Sequence, residues 1–377
     1  MNRSILHLIR TLDPERGGPV AFLKQLSVVH AAMGVHVAIL TLDRNDPAWV
    51  TDVPASVIEC GPSRGNYGYN RRIEAKLTEV AGSFGTMVVH GLWQFHGLCA
   101  LRVSVKIGVP YFVFPHGMLD PWFKKSYPVK HLKKQLYWIL AERKVLEGAR
   151  AVLFTSENES RSAKTTFSLA ANYQPRIVPL GVSKAPADVE ALRETFLRSF
   201  PHLRGRRFIL FLGRLHPKKG CDSLVKTMAE IQPPIDLVLA GPNAIQGYAD
   251  YLKKSAQGLA VFFTGMIQGD VKMGALSLAE ALILPSHQEN FGLVVAEALS
   301  FGTPVLVSER VNIAEHVRSF GAGFVEPDTL VGTRRLIERW LQEGNPGMRT
   351  AALKCFNERF DIEKSAGELL EIFFSDG

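Results

Sequence analysis

The stretch "ALILPSHQENFGLVVAEALSFG", residues 281–302, opens with a short apolar run of strand type that stops at Pro285. After a polar loop it continues into "FGLVVAEALS", which has helical length and closes on Gly302. It reads as strand, loop, helix. The helix has no clearly polar face, because Leu293, Val294, Val295, Ala296, Ala298 and Leu299 surround Glu297, and a helix apolar all round is usually buried. A buried carboxylate needs a partner. An arginine or backbone amides in the core would serve as well as a ligand, so the rest of the chain must decide.

The same alternation runs from end to end. "SILHLI" is followed by a loop and by a helix from Pro19, with Phe22, Leu26, Val29 and Met33 on one face and Gly34 at its end. "HVAILTL", "TMVVHG", "PYFVFPHG" and "ARAVLFTS" read as further buried strands. After "RIVPLGV" comes a polar helical segment, "PADVEALRETFLRSF", and the alternation restarts with "RFILFLGRL", "IDLVLAG", "AVFFTG", "ALILP" and "TPVLVS". This pattern predicts two parallel sheets in succession, each covered by helices, with the junction near residues 181–185. The expected division is 1–182, 183–358, and a closing helical segment 359–377 that crosses back to the first domain. A length of 377 residues suits two domains, since one usually takes about 100–200.

Hydrophobic content of 46% and charged content of 21% describe an ordinary soluble globular chain. Cys60, Cys99, Cys221 and Cys355 lie far apart, with no CxxC and no metal-ligand spacing, which points to reduced thiols in a cytosolic setting. The N-terminus lacks an apolar run long enough for a signal-peptide core, and no stretch approaches the roughly 20 apolar residues of a membrane span. Net charge is +8 but uneven: residues 1–182 carry 22 Lys+Arg against 13 Asp+Glu, and the remainder 22 against 23. Such one-sidedness suits an anionic partner for the first half: a phosphate-bearing ligand, nucleic acid or an anionic membrane surface.

In open α/β sheets ligands bind beyond the carboxyl ends of the strands. Four loops of the second half fall there: "GRLHPKKG", "AGPN", "TGMIQGD" and "SHQENFG". The first carries Arg214 and Lys219 and ends at Gly220, where a helix begins; two cations beside a helix N-terminus make an anion site suited to a diphosphate. The same spacing alone also fits solvated loop charges. "ENFGLVV" starts a second helix beside it, with Phe291 and Gly292 turning the chain and the amides of Leu293 and Val294 exposed to the same anion. There is no GxxxxGK[ST], no GxGxxG and no DxD-type acidic pair, so lysine, arginine and helix termini would do a metal's work; no metal and no cofactor are expected.

At these residues the chain resembles the retaining glycosyltransferases of the two-Rossmann-domain GT-B type, specifically the large family 4 (group 1). The features are "GRL" followed by "KG", then "ENFGLVVAE" with its two glutamates, an early "GGP", "PHG" after a mid-domain strand, and a "VPLGV" hinge. The resemblance covers nearly the whole chain. It implies an α/β fold of two Rossmann-like, doubly wound parallel-sheet domains facing a central cleft, the first for the acceptor and the second for a UDP-sugar or GDP-sugar donor. By position, Arg214 and Lys219 would bind the diphosphate with the amides of Leu293 and Val294, Glu297 would accept from the ribose hydroxyls, and Glu289 would contact the transferred sugar. His116 would sit beside that sugar, and Gly18 would approach the donor phosphate. His116 and Glu289 are thus the candidate catalytic residues. On this reading the partner of Glu297 is the nucleotide. Where the family usually has "NG" at the hinge this chain has Leu180-Gly181, and no ligand role passes to Leu180. Each residue has a plainer reading: His116 capping a strand end, Gly17 and Gly18 serving a turn, Glu289 as a solvated loop carboxylate.

The basic half includes "DPWFKKSYPVKHLKKQLYWILAERK". Lysines 124, 125, 130, 133 and 134 stand there with no acid between Asp120 and Glu142, interleaved with Trp122, Phe123, Tyr127, Tyr137 and Trp138. From about residue 129, Leu132, Leu136 and Ile139 form an apolar stripe, with Lys130, Lys134 and Trp138 along another side. That suits an interfacial helix on anionic lipid, and equally a core helix with a solvated lysine face. A lipid-linked (polyprenyl) or other saccharide acceptor at the inner face of the plasma membrane is the expectation, within cell-surface polysaccharide biosynthesis by a cytoplasmic, peripheral hexosyltransferase. No nucleic-acid motif accompanies the charge. In "HGLWQFHG", His90, Trp93 and His96 either line an acceptor pocket or belong to the core. The rivals are a non-transferring nucleotide-sugar enzyme such as an epimerase, and a non-catalytic two-lobed sugar-binding protein.

Overall fold

The computed structural model describes residues 3–375 except 43, 45, 51–52, 122–123, 125–127 and 179. The chain divides into two compact units, Met1–Leu180 together with Ile362–Gly377, and Gly181–Asp361. The breaks fall at 180/181 and 361/362, where the sequence reading set 182/183 and 358/359.

The first unit is built on seven parallel strands: β1 (Ser4–Ile9), β2 (His36–Thr41), β3 (Ser56–Glu59), β4 (Thr86–His90), β5 (Tyr111–Phe114), β6 (Ala151–Phe154) and β7 (Pro175–Ile177). Their order in the sheet is β3-β2-β1-β4-β5-β6-β7. The second unit holds β8 (Phe208–Leu212), β9 (Asp236–Ala240), β10 (Val261–Gly265), β11 (Ala281–Leu284), β12 (Val305–Ser308) and β13 (Gly323–Glu326), ordered β10-β9-β8-β11-β12-β13. Every pairing within both sheets is parallel. Both are therefore doubly wound Rossmann-like sheets, and in each the strand order reverses beside the first strand.

Continuous apolar runs are what a parallel sheet covered on both faces requires. Every residue of β1, β4, β5, β8, β9 and β11 is buried. The two-residue side-chain period then sorts them: Leu6, Leu8, Ala38 and Leu40 enter one core of the first unit, while Ile9 and Ile39 enter the smaller one on the opposite face with Leu12, Val20 and Leu23. Two of the edge strands, β3 and β13, leave no such apolar run, because "SVIE" and "GFVE" are mostly not buried and each ends in a glutamate.

The helix read from Pro19 spans Gly18–Ala32, but its buried face differs from the expected one. Val20, Phe22, Leu23, Leu26, Ser27 and His30 face inward, whereas Met33 is exposed. Two polar residues lie on the buried side because each finds a carbonyl: Ser27 Oγ donates to Leu23 O at 2.7 Å, and His30 Nε2 lies 3.2 Å from Ala366 O. That second carbonyl belongs to the helix Ile362–Phe374, whose Phe373 ring centroid lies 5.0 Å from that of Phe112 on β5. The last thirteen-residue helix is thus part of the first unit's core.

Replacing the buried Phe373 with alanine is expected to cost roughly 3–5 kcal/mol, the usual range for a large aromatic removed from a core. Thermal melting checks this; a Tm within a degree of wild type would show that the closing helix contributes little to the first unit.

Candidate active site

In the second unit the strand order reverses between β8 and β11, and the loops after these two strands are the two that the sequence singled out. They are tied together by backbone: His287 N–H donates to Lys218 O at 2.8 Å. Gly220 lies at φ 71°, and a Cβ there would stand 2.5 Å from Pro285 O, so only glycine permits this approach. His216 folds the first loop by accepting from Lys218 N–H at 3.0 Å through Nδ1. Burial lowers the pKa of that imidazole, helped by Arg214, Lys218 and Lys219, which keeps the ring an acceptor.

Charge on this rim is arranged in pairs. Lys219 Nζ pairs with Glu289, both side chains less than a fifth exposed. Glu297 pairs with Lys272 at 2.8 Å. The helix Leu293–Ser300 buries Val295, Ala296, Ala298 and Leu299, but Glu297 projects from it half-buried toward Lys272, which stands one turn into the helix Gly269–Leu278. The expectation that Glu297 lacks a partner until a nucleotide arrives is therefore corrected: Lys272 neutralises it. Lys272 was missed because "GDVKMG" carries no motif beyond a cation just after the third loop.

Arg214 is exposed and pairs with no carboxylate among the described residues. Gly292, at φ 84°, leads into the helix Leu293–Ser300 without a side-chain cap, so the amides of Leu293 and Val294 make no hydrogen bond among the described residues. Phe291 contributes only backbone here, its ring being buried against Phe360 at 5.7 Å between centroids. The second unit thus brings Arg214, Lys219, Glu289, Gly292, Leu293, Val294 and Glu297 onto adjoining loops and the start of one helix.

In the first unit, Gly18 begins the helix Gly18–Ala32, and the residue with the left-handed backbone is its neighbour Gly17, at φ 81°. Turn geometry accounts for Gly17. His116 follows β5 at φ 50°, and its loop is held by Glu159, a buried carboxylate that accepts from Gly117 N–H at 2.8 Å and from Thr155 N–H at 2.7 Å. His116 Nε2 lies 3.0 Å from His90 Nδ1, and His90 Nε2 lies 3.0 Å from His7 Nδ1 on β1. Burial lowers the pKa of His116 to about 4 and of His7 to about 3, and lowers that of His90 well below its ordinary value. All three rings are neutral at pH 7.

His90 and His96, read as acceptor-pocket candidates, are corrected here. Both are buried, His90 with both ring nitrogens engaged and His96 Nε2 placed 3.2 Å from His90 O. Trp93 is half-buried at φ 66°, its backbone N–H donating to Glu142 Oε2 at 3.1 Å and its ring packed on Phe167 at 5.1 Å between centroids. Glu142 is buried, and desolvation raises its pKa to about 8 despite that N–H and Lys134. The sequence offered Glu142 only as the end of a lysine run.

The basic helix departs from the reading of a core helix with a solvated lysine face. Pro128–Tyr137 continues into a π-helical turn, Trp138–Glu142, in which Trp138 is buried and donates through Nε1 to Leu169 O at 2.9 Å. The apolar stripe faces outward: Val129, Leu132, Leu136, Ile139 and Leu140 are all exposed, with Lys133 beside them. Trp122, Phe123, Lys125 and Tyr127, and the side chain of Lys130, lie outside the described residues. No helix among the described residues is long and apolar enough to cross a membrane.

Comparison with known proteins gives this geometry a class. Anabaena Alr3699/HepE, solved in complex with UDP and glucose, superposes with a TM-score of 0.76 at 18% identity, covering 99% of this chain and 100% of that one. Sucrose-phosphate synthase from Thermosynechococcus elongatus gives 0.74 at 21% identity, with 98% of each chain covered. Both likenesses show the fold, that of the GT-B glycosyltransferases. Two family models match in tandem, a glycosyl transferase 4-like domain over residues 17–181 and glycosyl transferases group 1 over residues 193–350. The D-rhamnosyltransferase WbpZ of Pseudomonas aeruginosa is 32% identical over 349 residues, or 90% of this chain and 86% of that one. An uncharacterized glycosyltransferase of Methanocaldococcus jannaschii is 31% identical over 156 residues, a match spanning 39% of that protein. The chain belongs to the group 1 glycosyltransferases.

Two outcomes follow for the protein alone. Gly220→Ala is expected to cost about 1–3 kcal/mol, because strained backbone and a carbonyl clash coincide; an unchanged Tm would contradict the tight junction of the two loops. The neutral histidine row makes the unfolded chain bind more protons than the native one below about pH 6.5, the ordinary histidine pKa. Stability should therefore fall as pH drops from about 6.5 toward 4, and less steeply in His7→Leu than in wild type, by denaturant titration across that range; equal slopes would contradict the buried neutral row.

Proposed function

We propose that the protein transfers a hexose-type sugar, with retention, from a nucleoside-diphosphate sugar to a saccharide or lipid-linked saccharide acceptor. The observation that carries this is the rim of the second unit, where Arg214 and the unbonded amides of Leu293 and Val294 adjoin two lysine–glutamate pairs. A diphosphate suits such a rim, since it gains backbone N–H donors, the helix dipole and guanidinium together. Lys219 would then exchange Glu289 for a phosphate oxygen, which frees Glu289 to accept from hydroxyls of the transferred sugar. Glu297, held by Lys272, would accept from the ribose hydroxyls.

For the chemistry, the bond from the anomeric carbon to the diphosphate oxygen breaks, its electron pair leaves with the diphosphate, and an oxocarbenium-like centre forms. The acceptor hydroxyl oxygen then bonds to that carbon from the same face, and its proton passes to the departing diphosphate. No protein base is needed for that balance. Arg214, Lys219 and the helix N-terminus stabilise the leaving group, which is the role a metal plays elsewhere. His116 is assigned to the transferred sugar, and Gly18 to the donor phosphate, on the family resemblance. UDP and GDP are the two bases considered, and the complexes of Anabaena Alr3699/HepE with UDP and with UDP-glucose support UDP. The D-rhamnosyltransferase WbpZ supports a hexose-type sugar, and the glycosyltransferase WaaG, described as involved in lipopolysaccharide biosynthesis, supports a role in cell-surface glycan assembly.

The outward-facing Val129, Leu132, Leu136, Ile139 and Leu140, with Lys124 and Lys133 exposed near them, support peripheral contact with an anionic membrane at its inner face. That would bring the protein to a polyprenyl-linked acceptor.

The donor reading is tested by a thermal-shift screen of nucleoside diphosphates, followed by release of free nucleotide from the matching sugar donors in the presence of EDTA. Stabilisation by one nucleotide and undiminished turnover in EDTA are expected; hydrolysis or epimerisation without transfer to an added saccharide would favour the rival enzyme class. Lys219→Ala should lower kcat/KM by a factor corresponding to about 2–5 kcal/mol, and an unchanged kcat/KM would remove Lys219 from the site. For the membrane, vesicles rich in anionic lipid should retain the protein at low salt and release Leu132→Asp/Leu136→Asp; equal retention of the two proteins would contradict docking through this face.

A further inference from the structure

His7, His90 and His116 come from β1, the end of β4 and the turn after β5, and join their rings through two N···N contacts of 3.0 Å. A neutral imidazole carries one N–H and one lone pair. Each contact needs one of each, so three neutral rings in a row admit only two arrangements and must change tautomer together. With every proton on Nε2, the row ends in an N–H at His7 Nε2. With every proton on Nδ1, it ends there in a bare lone pair.

His7 Nε2 is buried and has no partner among the described residues. A buried N–H left without an acceptor is rarer in proteins than an unsatisfied acceptor. The neighbouring His30 makes no hydrogen bond to His7 among the described residues, so it offers a proton on His7 Nε2 no direct acceptor. Its Nε2 faces Ala366 O and must therefore carry the proton, which leaves its own Nδ1 bare. At the other end, the nitrogen of His116 that the row leaves over is Nδ1.

We propose that His7 and His90 are positioning residues that lock His116 as the Nδ1–H tautomer, so that it offers a hydrogen-bond donor, not an acceptor, to an oxygen of the bound sugar. The contact with sugar rests on the role assigned to His116 above; the locking does not. The row also explains why a strand as apolar as "SILHLI" carries a histidine at its centre. His7 has no route to a ligand, and its effect passes through His90. Glu159, by anchoring Gly117, holds His116 at the distance the row requires.

The direct test is the two-bond proton–nitrogen spectrum of protein labelled in the histidine rings, which separates protonated from bare ring nitrogens. At pH 7 the wild type is expected to show His7, His90 and His116 as Nδ1–H with Nε2 bare, assigned through single His→Gln variants. His116 as Nε2–H, or as a mixture, overturns the proposal. In His7→Leu the row loses its donor, and His116 should move to a mixture of tautomers with kcat reduced about 5–10-fold. His7→Asn, whose amide can donate from near the Nδ1 position, should restore both. A tautomer at His116 that ignores His7→Leu overturns the locking. Unchanged transfer by His116→Ala, alongside the expected spectrum, would instead remove His116 from the sugar while leaving the row intact.

Discussion

Two adjacent parallel strands, β8 and β11, have connections that leave the sheet in opposite directions, and the rest of the second unit's chemistry follows from that reversal. At such a point no crossover covers the carboxyl ends of the strands, and the amides that begin the next helix stay without acceptors. The chain joins the two loops by one backbone hydrogen bond, from His287 to Lys218, and by the fit of Gly220 beneath Pro285 O. Positive groups are thereby held in place before any anion is present, which is the form of preorganisation that makes electrostatic stabilisation effective.

The charges on this rim mostly cancel within the protein. Lys219 is matched by Glu289 and Lys272 by Glu297, so Arg214 and the helix terminus are the unmatched elements among the described residues. Partly buried lysines and carboxylates left alone would carry a desolvation penalty, and pairing removes most of it. The pairs also set distinct roles for the two glutamates. Glu289 shares a lysine that a phosphate would claim, whereas Glu297 shares one on a separate helix. On the proposed mode of donor binding, the first pair opens and the second persists.

Much of this was legible in the sequence. Continuous apolar runs ending in loops with glycine and charge identified the strands that lie deep in each sheet, because burial on both faces erases alternation. The edge strands β3 and β13 left no such trace. Glu297 was recognised as a carboxylate in need of a partner, but its partner Lys272 is a tertiary neighbour 25 residues away, invisible to local pattern. The same limit hid the histidine row. His90 and His116 stand out in the sequence only separately and His7 carries no site signal, and only the β1-β4-β5 adjacency, which strand order alone determines, brings them together. The basic helix taught the opposite lesson. Its stripe of Leu132, Leu136 and Ile139 was correctly seen, yet periodicity says nothing about which face turns inward, and buried Trp138 decides it.

On the proposed function, a nucleoside diphosphate is gripped by the β8 and β11 loops without an inorganic ion. A crystal structure of the protein grown with UDP or GDP in EDTA addresses it most directly. Phosphate oxygens are expected within hydrogen-bonding distance of the Leu293 and Val294 amides, Arg214 and Lys219, with the Lys219–Glu289 pair opened and the Lys272–Glu297 pair kept. A nucleotide bound elsewhere, or bound with its phosphates away from those amides and both pairs intact, would contradict it.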